Sequence, residues 1–377
     1  MRGSGKEKLI RAAVKLFGNE GLEDVSIAQI TRKARVSNST FYKYFKGKQS
    51  LITEIFEFGI KLLDENLRVR GFTPESRLHR LIEDYVFFVE ENTEICKILH
   101  EAELTFQSLP KKVKTVLMRK TEEAGLKPSD EIFWLLWGSV RFLSMWIFFW
   151  KNEAKDTIYT DLMKFIKSGI DPNDHNLDVR VFNINIPNVE IDLDTTKAKL
   201  LAASEKLFAE KGFRDTQISD ITKEAGVGLG TFYIYFQTKL QALQELLQRI
   251  NSALRYSIKL ALSDFNDRRD AEIAGYCAFL NFFKTHKGVY RIVRDAEFII
   301  PEHASLYYKR LHQSYISPLK KALEKGEIRE YDPSSLAIFL MGIGHFMGED
   351  LLLVKRSKDF KSPLRKLSDL LFHGLGG

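Results

Sequence analysis

Apolar residues recur along most of this chain at three- and four-residue intervals, the spacing that places them on one face of a helix. The first stripe of this kind comprises Leu9, Ala12, Ala13, Leu16 and Phe17. The period changes at residues 171–194, where polar turn residues open the segment and Val179–Leu193 then alternates at period two. The pattern predicts an all-α chain with an extended linker over residues 171–194 that could form a short strand.

The helical pattern occurs twice. Lys6–Ile55 aligns without a gap over Lys197–Leu246, with 21 identities in 50 positions. Both segments contain Thr-Phe-Tyr-x-Tyr-Phe-x-x-Lys, and weaker matches continue beyond them, so the repeated unit is about 170 to 185 residues long. A repeat of this length indicates two duplicated domains in tandem rather than a solenoid, whose repeats are much shorter.

Each copy divides into a short amino-terminal head and a longer helical body. We place the domains at residues 1–52 (first head), 53–170 (first body), 171–194 (linker), 195–243 (second head) and 244–377 (second body). In the first head, Gly21 is predicted to end a first helix in the left-handed manner. Ser26 and Gln29 form the capping box of a second helix, and Ser37 caps a third after a three-residue break. This is the helix-turn-helix arrangement, in which the last helix enters the major groove of DNA.

The order of these signals resembles the TetR family of transcriptional regulators. In the first copy the resemblance rests on Ala12, Phe17, Gly21, Ile27, Ile30, Ala34, Val36, Ser37, Thr40-Phe41-Tyr42, Tyr44-Phe45 and Lys48. In the second copy it rests on Ile221-Thr222, Ala225-Gly226-Val227, Thr231-Phe232-Tyr233, Tyr235-Phe236 and Lys239. The resemblance implies a DNA-binding three-helix head, followed by a helical bundle that binds an effector and makes a dimer interface.

The resemblance and the local charge together indicate which residues would contact DNA. In the first head these are Arg35, Ser37, Asn38, Ser39, Thr40, Tyr42, Lys43, Tyr44 and Lys48. In the second head they are Gly228, Leu229, Gly230, Thr231, Tyr233, Tyr235 and Lys239. The amide of Asn38 can pair with adenine. Thr40, Tyr42 and Lys48 resemble the family's phosphate contacts. The alternative is that the aromatic residues pack the head and the lysines form a solvated helix face.

Charge distinguishes the two heads. Val25–Thr53 contains six basic residues and no acid, whereas the aligned Thr216–Gln244 has two bases and two acids. The first head therefore has the electrostatic character of a DNA-binding surface and is predicted to dominate binding. Arg35 occupies the turn position of Gly226, where a left-handed backbone costs a non-glycine residue roughly 1 kcal/mol. In the second head, Leu229 and Ile234 could contact thymine methyl groups or a protein partner.

The bodies are rich in aromatic residues, which are typical either of an ordinary core or of a pocket for a hydrophobic effector. For the first body we predict the pocket residues Tyr85, Phe88, His100, Glu103, Phe106, Trp134, Trp137, Arg141 and Trp146. Anchors in the second body would be Arg294, Asp295, Glu297, His303 and His345. Gly344 and Gly348, spaced four residues apart, predict a close helix crossing.

Other classes of protein find little support. Cys96 and Cys277 form no metal-binding or redox pair, no nucleophile elbow or phosphate-binding loop occurs, and we expect no enzyme, cofactor or metal. Ile132–Trp150 is long enough to span a membrane, but Arg141 near its centre favours a buried bundle helix.

The sequence thus predicts a cytoplasmic repressor that binds double-stranded operator DNA and responds to a small hydrophobic or aromatic effector. The two copies would form an intramolecular pseudo-dimer, or alternatively chains would pair into a homodimer with four heads. A competing hypothesis is a ligand- or protein-binding helical module whose second head no longer binds DNA. A membrane-associated helical protein is a further alternative.

Overall fold

A computed structural model describes residues 4–105, 110–186 and 194–376 of the chain. Over these residues the fold is all-α, as predicted, with nine helices in each copy. In the first copy they are α1 (Gly5–Glu20), α2 (Ile27–Ala34), α3 (Asn38–Tyr44), α4 (Lys48–Asn66), α5 (Pro74–Glu91), α6 (Thr93–Thr105), α7 (Pro110–Glu123), α8 (Asp130–Phe149) and α9 (Ile158–Ser168). In the second they are α10 (Thr196–Lys211), α11 (Ile218–Glu224), α12 (Leu229–Tyr235), α13 (Lys239–Ala261), α14 (Arg268–Thr285), α15 (Val289–Ile299), α16 (Pro301–Glu324), α17 (Pro333–Val354) and α18 (Lys361–His373).

The local signals in the first head produce the helices that they predict. The Ser26 hydroxyl accepts from the backbone N–H of Gln29, whose side chain accepts from the N–H of Ser26 in return, so the predicted capping box is confirmed. Ser37 caps α3 as expected. Gly21 ends α1 at φ 87° and ψ 157°, so its φ is positive as predicted, but its ψ is extended rather than helical.

The compact units of the chain do not coincide with the sequence repeat. One unit comprises residues 1–129 and 144–152, and the other comprises residues 130–143 and 153–377. The last six residues of α8 thus belong to the first unit, while its first 14 residues and all of α9 belong to the second. Copy one therefore contributes helices to the unit that contains all of copy two.

Within the second unit, α8 crosses α17 at two glycines that occupy equivalent positions in the repeat. A Cβ atom on Gly342 would lie 2.5 Å from the carbonyl oxygen of Gly138, and a Cβ on Gly138 would lie 3.0 Å from that of Gly342. The backbones meet at this point because neither residue has a side chain. We predicted the close crossing at Gly344 and Gly348, and this was wrong: those two glycines face the rings of Tyr276 and Tyr290 instead.

The contacts beside this crossing come in symmetric pairs. The guanidinium of Arg141 lies 4.3 Å from the ring centre of Phe346. The ring of Phe142 lies 5.2 Å from that of His345. Positions 141 and 142 correspond to 345 and 346 in the repeat, so the two contacts interchange when the copies are exchanged. A two-fold interface has this property.

The ends of α9 and α18 repeat the symmetry in their backbone hydrogen bonds. The N–H of Ile170 donates to the carbonyl of Leu371 at 2.9 Å, and the N–H of Leu375 donates to the carbonyl of Ile166 at 2.8 Å. Each residue in one bond is offset by 205 positions from its counterpart in the other. The next residues along the chain form a second such pair, Asp171 to Phe372 and Gly376 to Lys167.

The predicted linker is ordered over its described part and forms no strand there. Val179–Phe182 makes one 3₁₀ turn, in which Val181 and Phe182 are both buried, so the period-two alternation does not describe its packing. The buried Asp171 accepts from Arg269 of α14 at 2.6 Å, and the carbonyl of Ile184 accepts from Asn281 at 2.9 Å. These contacts tie residues 171–184 to the second body, whereas residues 187–193 lie outside the described part.

Two helices are long and apolar enough to cross a membrane by length and composition alone. They are α8 and α17, and their most apolar windows are 78% and 83% buried inside the protein. Such burial is typical of the core helices of a soluble bundle, which pass the same test of hydropathy. Arg141, the charge that argued against a span, is itself buried.

Candidate nucleic-acid interface and ligand cavity

The amino-terminal end of α3 presents a cluster of hydroxyl and amide groups to solvent. The Ser37 hydroxyl lies 2.7 Å from that of Ser39 and 2.9 Å from that of Thr40. Asn38 is exposed, and its side-chain oxygen accepts a hydrogen bond from Thr31 at 2.7 Å. This bond orients the amide and leaves its N–H groups free to donate. The arrangement suits contacts to phosphates and to a base edge.

The aromatic residues of the α3 motif divide into two groups. Phe41 and Phe45 are buried and pack against each other, with ring centres 5.4 Å apart. Tyr42 and Tyr44 are exposed, and Lys43 lies over the ring of Tyr44. The phenylalanines therefore hold the head together, whereas the tyrosines remain candidates for DNA contacts.

Basic side chains surround α3 without acidic partners. The five that form no ion pair with any described residue are Arg32, Lys33, Arg35, Lys43 and Lys46. All of them are exposed. Their charge is not neutralised inside the protein and is therefore available to a polyanion.

Arg35 has the left-handed backbone that its alignment with Gly226 predicts. Its φ and ψ are 55° and 48°, and the φ of Gly226 is 68°. A residue with a Cβ atom is strained in this conformation by roughly 1 kcal/mol. The first head therefore keeps a cation at a position where its local stability would favour glycine.

We expect Arg35→Gly to leave the melting temperature unchanged or slightly raised. The slope of log K for DNA binding against log salt concentration should become less negative by about 0.9, the contribution of one phosphate contact. Gly226→Arg is the matched change in the second head, and the same strain should lower stability there by roughly 1 kcal/mol. Thermal denaturation and fluorescence anisotropy with labelled duplex DNA measure the two effects. An unchanged salt dependence in Arg35→Gly would show that this cation does not contact phosphate.

Lys48 and Lys239 each donate hydrogen bonds to carbonyls within their own head. The ammonium of Lys48 donates to the carbonyl of Glu23 at 2.8 Å. That of Lys239 donates to the carbonyls of Phe213, Arg214 and Thr216 at 2.6, 3.2 and 2.6 Å. Burial lowers the pKa of Lys239. Both lysines thus tie the start of the helix after the recognition helix to the loop after the first helix, and a phosphate contact by either remains a prediction.

The second head keeps the fold but presents a different surface. Its acids are held by lysines of α10, with Lys206 2.6 Å from Glu224 and Lys211 3.6 Å from Asp220. Ile234 is 76% exposed at the position equivalent to Lys43. The other predicted contact residues lie on or beside α12: Gly228, Leu229, Gly230, Thr231, Tyr233 and Tyr235. Of these, Leu229 and Tyr233 are about half exposed, so the face is apolar and nearly neutral.

A cavity of about 600 Å³ lies in the second body, a size that suits a small-molecule ligand. Its deep walls come from α14, α15, α16 and α17. The aromatic residues among them are Tyr276, Phe279, Tyr290, Tyr307, Tyr308 and Tyr315. Aliphatic residues and Met341 complete the apolar lining, and basic residues surround the outer part.

The floor of the cavity is continuous with a buried polar network. His345 and Tyr308 line the cavity, and the Tyr308 hydroxyl donates to Glu297 at 2.5 Å. Arg294, which is fully buried, contacts His345 and donates to Glu349 at 2.6 Å. The ring of Phe142, on α8, lies within 5.4 Å of both Tyr308 and His345. The predicted anchors Arg294, Glu297 and His345 thus meet at one place.

The pocket residues predicted for the first body do not line this cavity. Tyr85, Phe88, His100, Glu103 and Trp146 are buried in the first unit, where His100 packs near Phe149. Trp134, Trp137 and Arg141 are buried in the second unit on α8, and Phe106 lies outside the described residues. A ligand site at any of them remains a prediction.

Two of these residues, together with Glu101 of the first unit, have structural contacts that the sequence did not indicate. The Trp134 indole donates to Asp350 at 3.2 Å, and Arg141 stacks on Phe346. In the first unit Glu101 accepts from the backbone N–H of Leu22 at 2.8 Å. That bond links α6 of the body to the loop after α1 of the head.

A described cluster within the second unit has the composition of a metal site. The donor atoms of His175, Asp267 and Asp270 lie within 4.8 Å of one another. However, Asp270 already contacts the ring of His175 at 2.9 Å, and Asp267 accepts two hydrogen bonds from the side chain of Arg269 at 2.9 and 2.7 Å. The guanidinium beside the carboxylates opposes a bound cation, so the cluster is best described as an ion-pair anchor for the linker.

Comparison with known proteins agrees with the two heads. The family model described as "Bacterial regulatory proteins, tetR family" matches residues 9–55 and again residues 200–246. Among solved structures, the fatty acid degradation regulator FadR from Bacillus halodurans is 20% identical, with a TM-score of 0.42, and the match covers 48% of this chain and 96% of that one.

Two curated relatives match about half of the chain over most of their own length. The uncharacterized HTH-type transcriptional regulator YdgC of Bacillus subtilis is 26% identical over 186 residues, which are 48% of this chain and 92% of the relative. The HTH-type transcriptional regulator EthR of Mycobacterium tuberculosis is 28% identical over 184 residues, 48% of this chain and 85% of the relative. One relative thus corresponds to one copy of the repeat. The chain therefore consists of two tandem units, each beginning with a head of the tetR family of bacterial regulatory proteins.

Proposed function

We propose that this protein is a cytoplasmic, effector-responsive repressor. It would bind its operator mainly through the first head and its effector in the second body. The observation that carries the proposal is the division of features between the copies. The unneutralised cations surround α3, whereas the cavity lies among α13 to α17. On this proposal the first copy supplies most of the affinity for DNA and the second copy supplies the effector site.

We also propose that the two copies form an intramolecular pseudo-dimer. The symmetric contacts of α8 with α17, and of α9 with α18, support it, because exchanging the copies interchanges them. The inclusion of α8 and α9 in the unit of copy two supports it further. A single chain would then present two heads, as a homodimer of one-copy relatives would.

A physical route for the response runs through α8. Phe142 contacts the cavity residues Tyr308 and His345 in the second unit. Seven residues further along the same helix, Phe149 packs near Lys97 and His100 of α6 in the first unit. Helix α6 in turn holds the first head through the bond from Leu22 to Glu101. An effector that shifts Tyr308 or His345 would act on α8 and change the affinity of the first head for DNA.

The direction of the response follows from linkage. An effector that fits the cavity better when the heads are wrongly placed for DNA must bind less well to the DNA complex, and the operator is then released. Repression relieved by the effector is the simplest regulatory outcome. A reporter gene placed behind the operator would show increased expression when the effector is added.

The proposal is tested by selecting bound DNA from random sequence with the full chain and weighing the complex by light scattering. In the complex of a pseudo-dimer, the protein should contribute the mass of one chain, 43.6 kDa, to each bound duplex. Its operator should contain one strongly specified half-site and one weakly specified half-site about one helical turn apart, because the heads differ. A particle of twice that mass on a symmetric operator would contradict the pseudo-dimer.

The apolar face of the second head favours one alternative, a protein-binding role for α12. Leu229 and Ile234 are exposed in a segment without net charge. The alternative predicts that Ile234→Lys leaves operator affinity unchanged, whereas a head that lies on DNA should bind more tightly with the added charge. Intact chains with point substitutions are needed for this test, since a cut at residue 170 would separate α8 and α9 from the unit that they pack in.

A further inference from the structure

We infer that the cavity of the second body binds an amphipathic anion, with the anionic group held at Arg268 and the apolar part among the tyrosines. The inference rests on the proposed function in taking this cavity as the effector site. It adds the chemical class of the effector and the residues that recognise its polar end.

The first observation is an unsatisfied donor in the cavity wall. The Nε–H of Arg268 is buried and has no hydrogen-bond partner among the described residues. The rest of that side chain is held firmly, because it donates to Glu272, stacks 5.3 Å from the ring centre of Tyr315 and is only 11% exposed. A buried donor without an acceptor costs stability. An oxygen of a bound ligand would satisfy it.

The second observation is the balance of charge around the cavity. Its three acids are already paired: Asp267 with Arg269, Glu272 with Arg268, and Glu327 with Lys325 at 3.1 Å. The cations that remain around the outer part are Arg255, Lys259 and Lys321. None of these three forms an ion pair with a described residue. An anionic group is therefore favoured at this end, and a cationic group is not.

The third observation is the lining of the buried part of the cavity. Tyr276, Tyr290 and Tyr308 are buried, and each hydroxyl is already bonded within the protein, to the carbonyls of Leu340 and His345 and to Glu297. Their rings therefore offer apolar surface and their hydroxyls need no ligand. The cavity thus has an apolar interior and a cationic end. These two ends match the two parts of an amphipathic anion.

The test uses ligands that share one alkyl chain and differ in their polar group. Isothermal titration of the intact protein without DNA should give at least tenfold tighter binding for dodecanoate or dodecyl phosphate than for dodecanol or dodecyltrimethylammonium. The two anions distinguish a carboxylate effector from a phosphate effector. Equal affinity for the anionic and cationic chains would overturn the inference.

Substitutions locate the site. Lys259→Glu with Lys321→Glu should lower anion affinity at least tenfold and leave dodecanol unchanged. The matched control is Lys309→Glu with Lys320→Glu, which changes exposed lysines of α16 that do not line the cavity. Arg268→Lys keeps the charge beside Glu272 but removes the Nε donor, and should weaken the anions severalfold. Equal effects of the two lysine pairs would place the anion elsewhere.

Gly275 allows the cavity itself to be closed. This residue lines the cavity, and a Cβ atom on it would meet no atom within 4 Å. Gly275→Phe should therefore fill the space and abolish binding of all four ligands, whereas Gly275→Ala should preserve it. Retained binding in Gly275→Phe would exclude this cavity. Because binding is measured without DNA, an anion that binds here without affecting operator affinity would contradict the proposed regulation and leave this inference standing.

Discussion

Replacing Lys43 and Lys46 by alanine should weaken operator binding roughly tenfold to a hundredfold, because each exposed lysine would lose a hydrogen bond to phosphate worth about 0.7 to 1.4 kcal/mol net. The slope of log K against log salt concentration should also become less negative by about two, since each phosphate contact contributes about 0.9 to it. Both lysines are exposed beside α3, and neither has an acidic partner among the described residues. Anisotropy titrations at several salt concentrations measure both quantities.

The repeat supplies the matched control. Ile234 and Gln237 occupy the equivalent positions of the second head, and replacing both by alanine removes side chains of similar length without removing charge. We expect the salt dependence to stay unchanged in this variant. Equal losses from the two pairs would contradict the proposed dominance of the first head.

Lys48 and Lys239 are unsuitable for this comparison, although their positions resemble phosphate contacts. Each donates hydrogen bonds to carbonyls of a loop within its own head, and Lys239 uses three acceptors. Alanine at Lys239 would leave three part-buried carbonyls without this donor and lower stability by about 1 to 3 kcal/mol, whereas alanine at Lys48 would remove one hydrogen bond to the exposed carbonyl of Glu23. A loss of DNA binding would then report unfolding of the head rather than a lost phosphate contact.

The heads could be predicted from the sequence because their structure is determined by neighbouring residues. The capping box of Ser26 and Gln29, the cap at Ser37 and the left-handed turn at Arg35 each depend on a few adjacent positions. Such signals survive without knowledge of the rest of the fold. The roles of Lys48 and Lys239 were missed because their acceptors lie about 25 residues away, in a loop that only the folded head brings near.

The position of the cavity could not be predicted from the sequence, because a cavity is the space that the packed helices do not fill. Trp134 fills its space and bonds to Asp350, which lies 216 residues further along the chain. A large aromatic residue is consistent with either a filled core or a pocket wall, and the sequence alone does not distinguish them. One usable signal was present in the second body. Tyrosines cluster there, and a buried tyrosine needs a hydrogen-bond partner that a purely aliphatic core lacks.

The position of the crossing between α8 and α17 could be partly predicted from the sequence. The repeat shows that Gly138 and Gly342 are equivalent, but equivalence does not say that the two residues touch. Only a two-fold arrangement brings a residue near its own counterpart, and this occurs close to the axis. The prediction therefore chose Gly344 and Gly348 for their spacing, whereas the crossing lies at the residue that the repeat itself identifies.

Gly342→Ala is expected to lower stability by about 2 to 3 kcal/mol, because overpacking a filled contact costs amounts of this size. The added Cβ would lie 2.5 Å from the carbonyl oxygen of Gly138 and 2.8 Å from the Cβ of Phe142. Neither atom is the far end of a flexible side chain, so α8 and α17 must separate. Gly138→Ala should cost less, since its Cβ would lie 3.0 Å from the nearest atom.

Gly344→Ala serves as the control on the same helix. Its Cβ would lie 3.4 Å from the ring of Tyr276, an ordinary contact, and replacing a helical glycine by alanine favours folding by up to about 1 kcal/mol. Thermal denaturation should therefore rank the variants with Gly342→Ala least stable, then Gly138→Ala, then Gly344→Ala. Operator affinity should follow the same order, since the separation of α8 from α17 displaces the helix that connects the cavity to the first head. If Gly342→Ala had the same melting temperature as Gly344→Ala, the two backbones would not meet at this crossing. The proposed pseudo-dimer would then lose its main support.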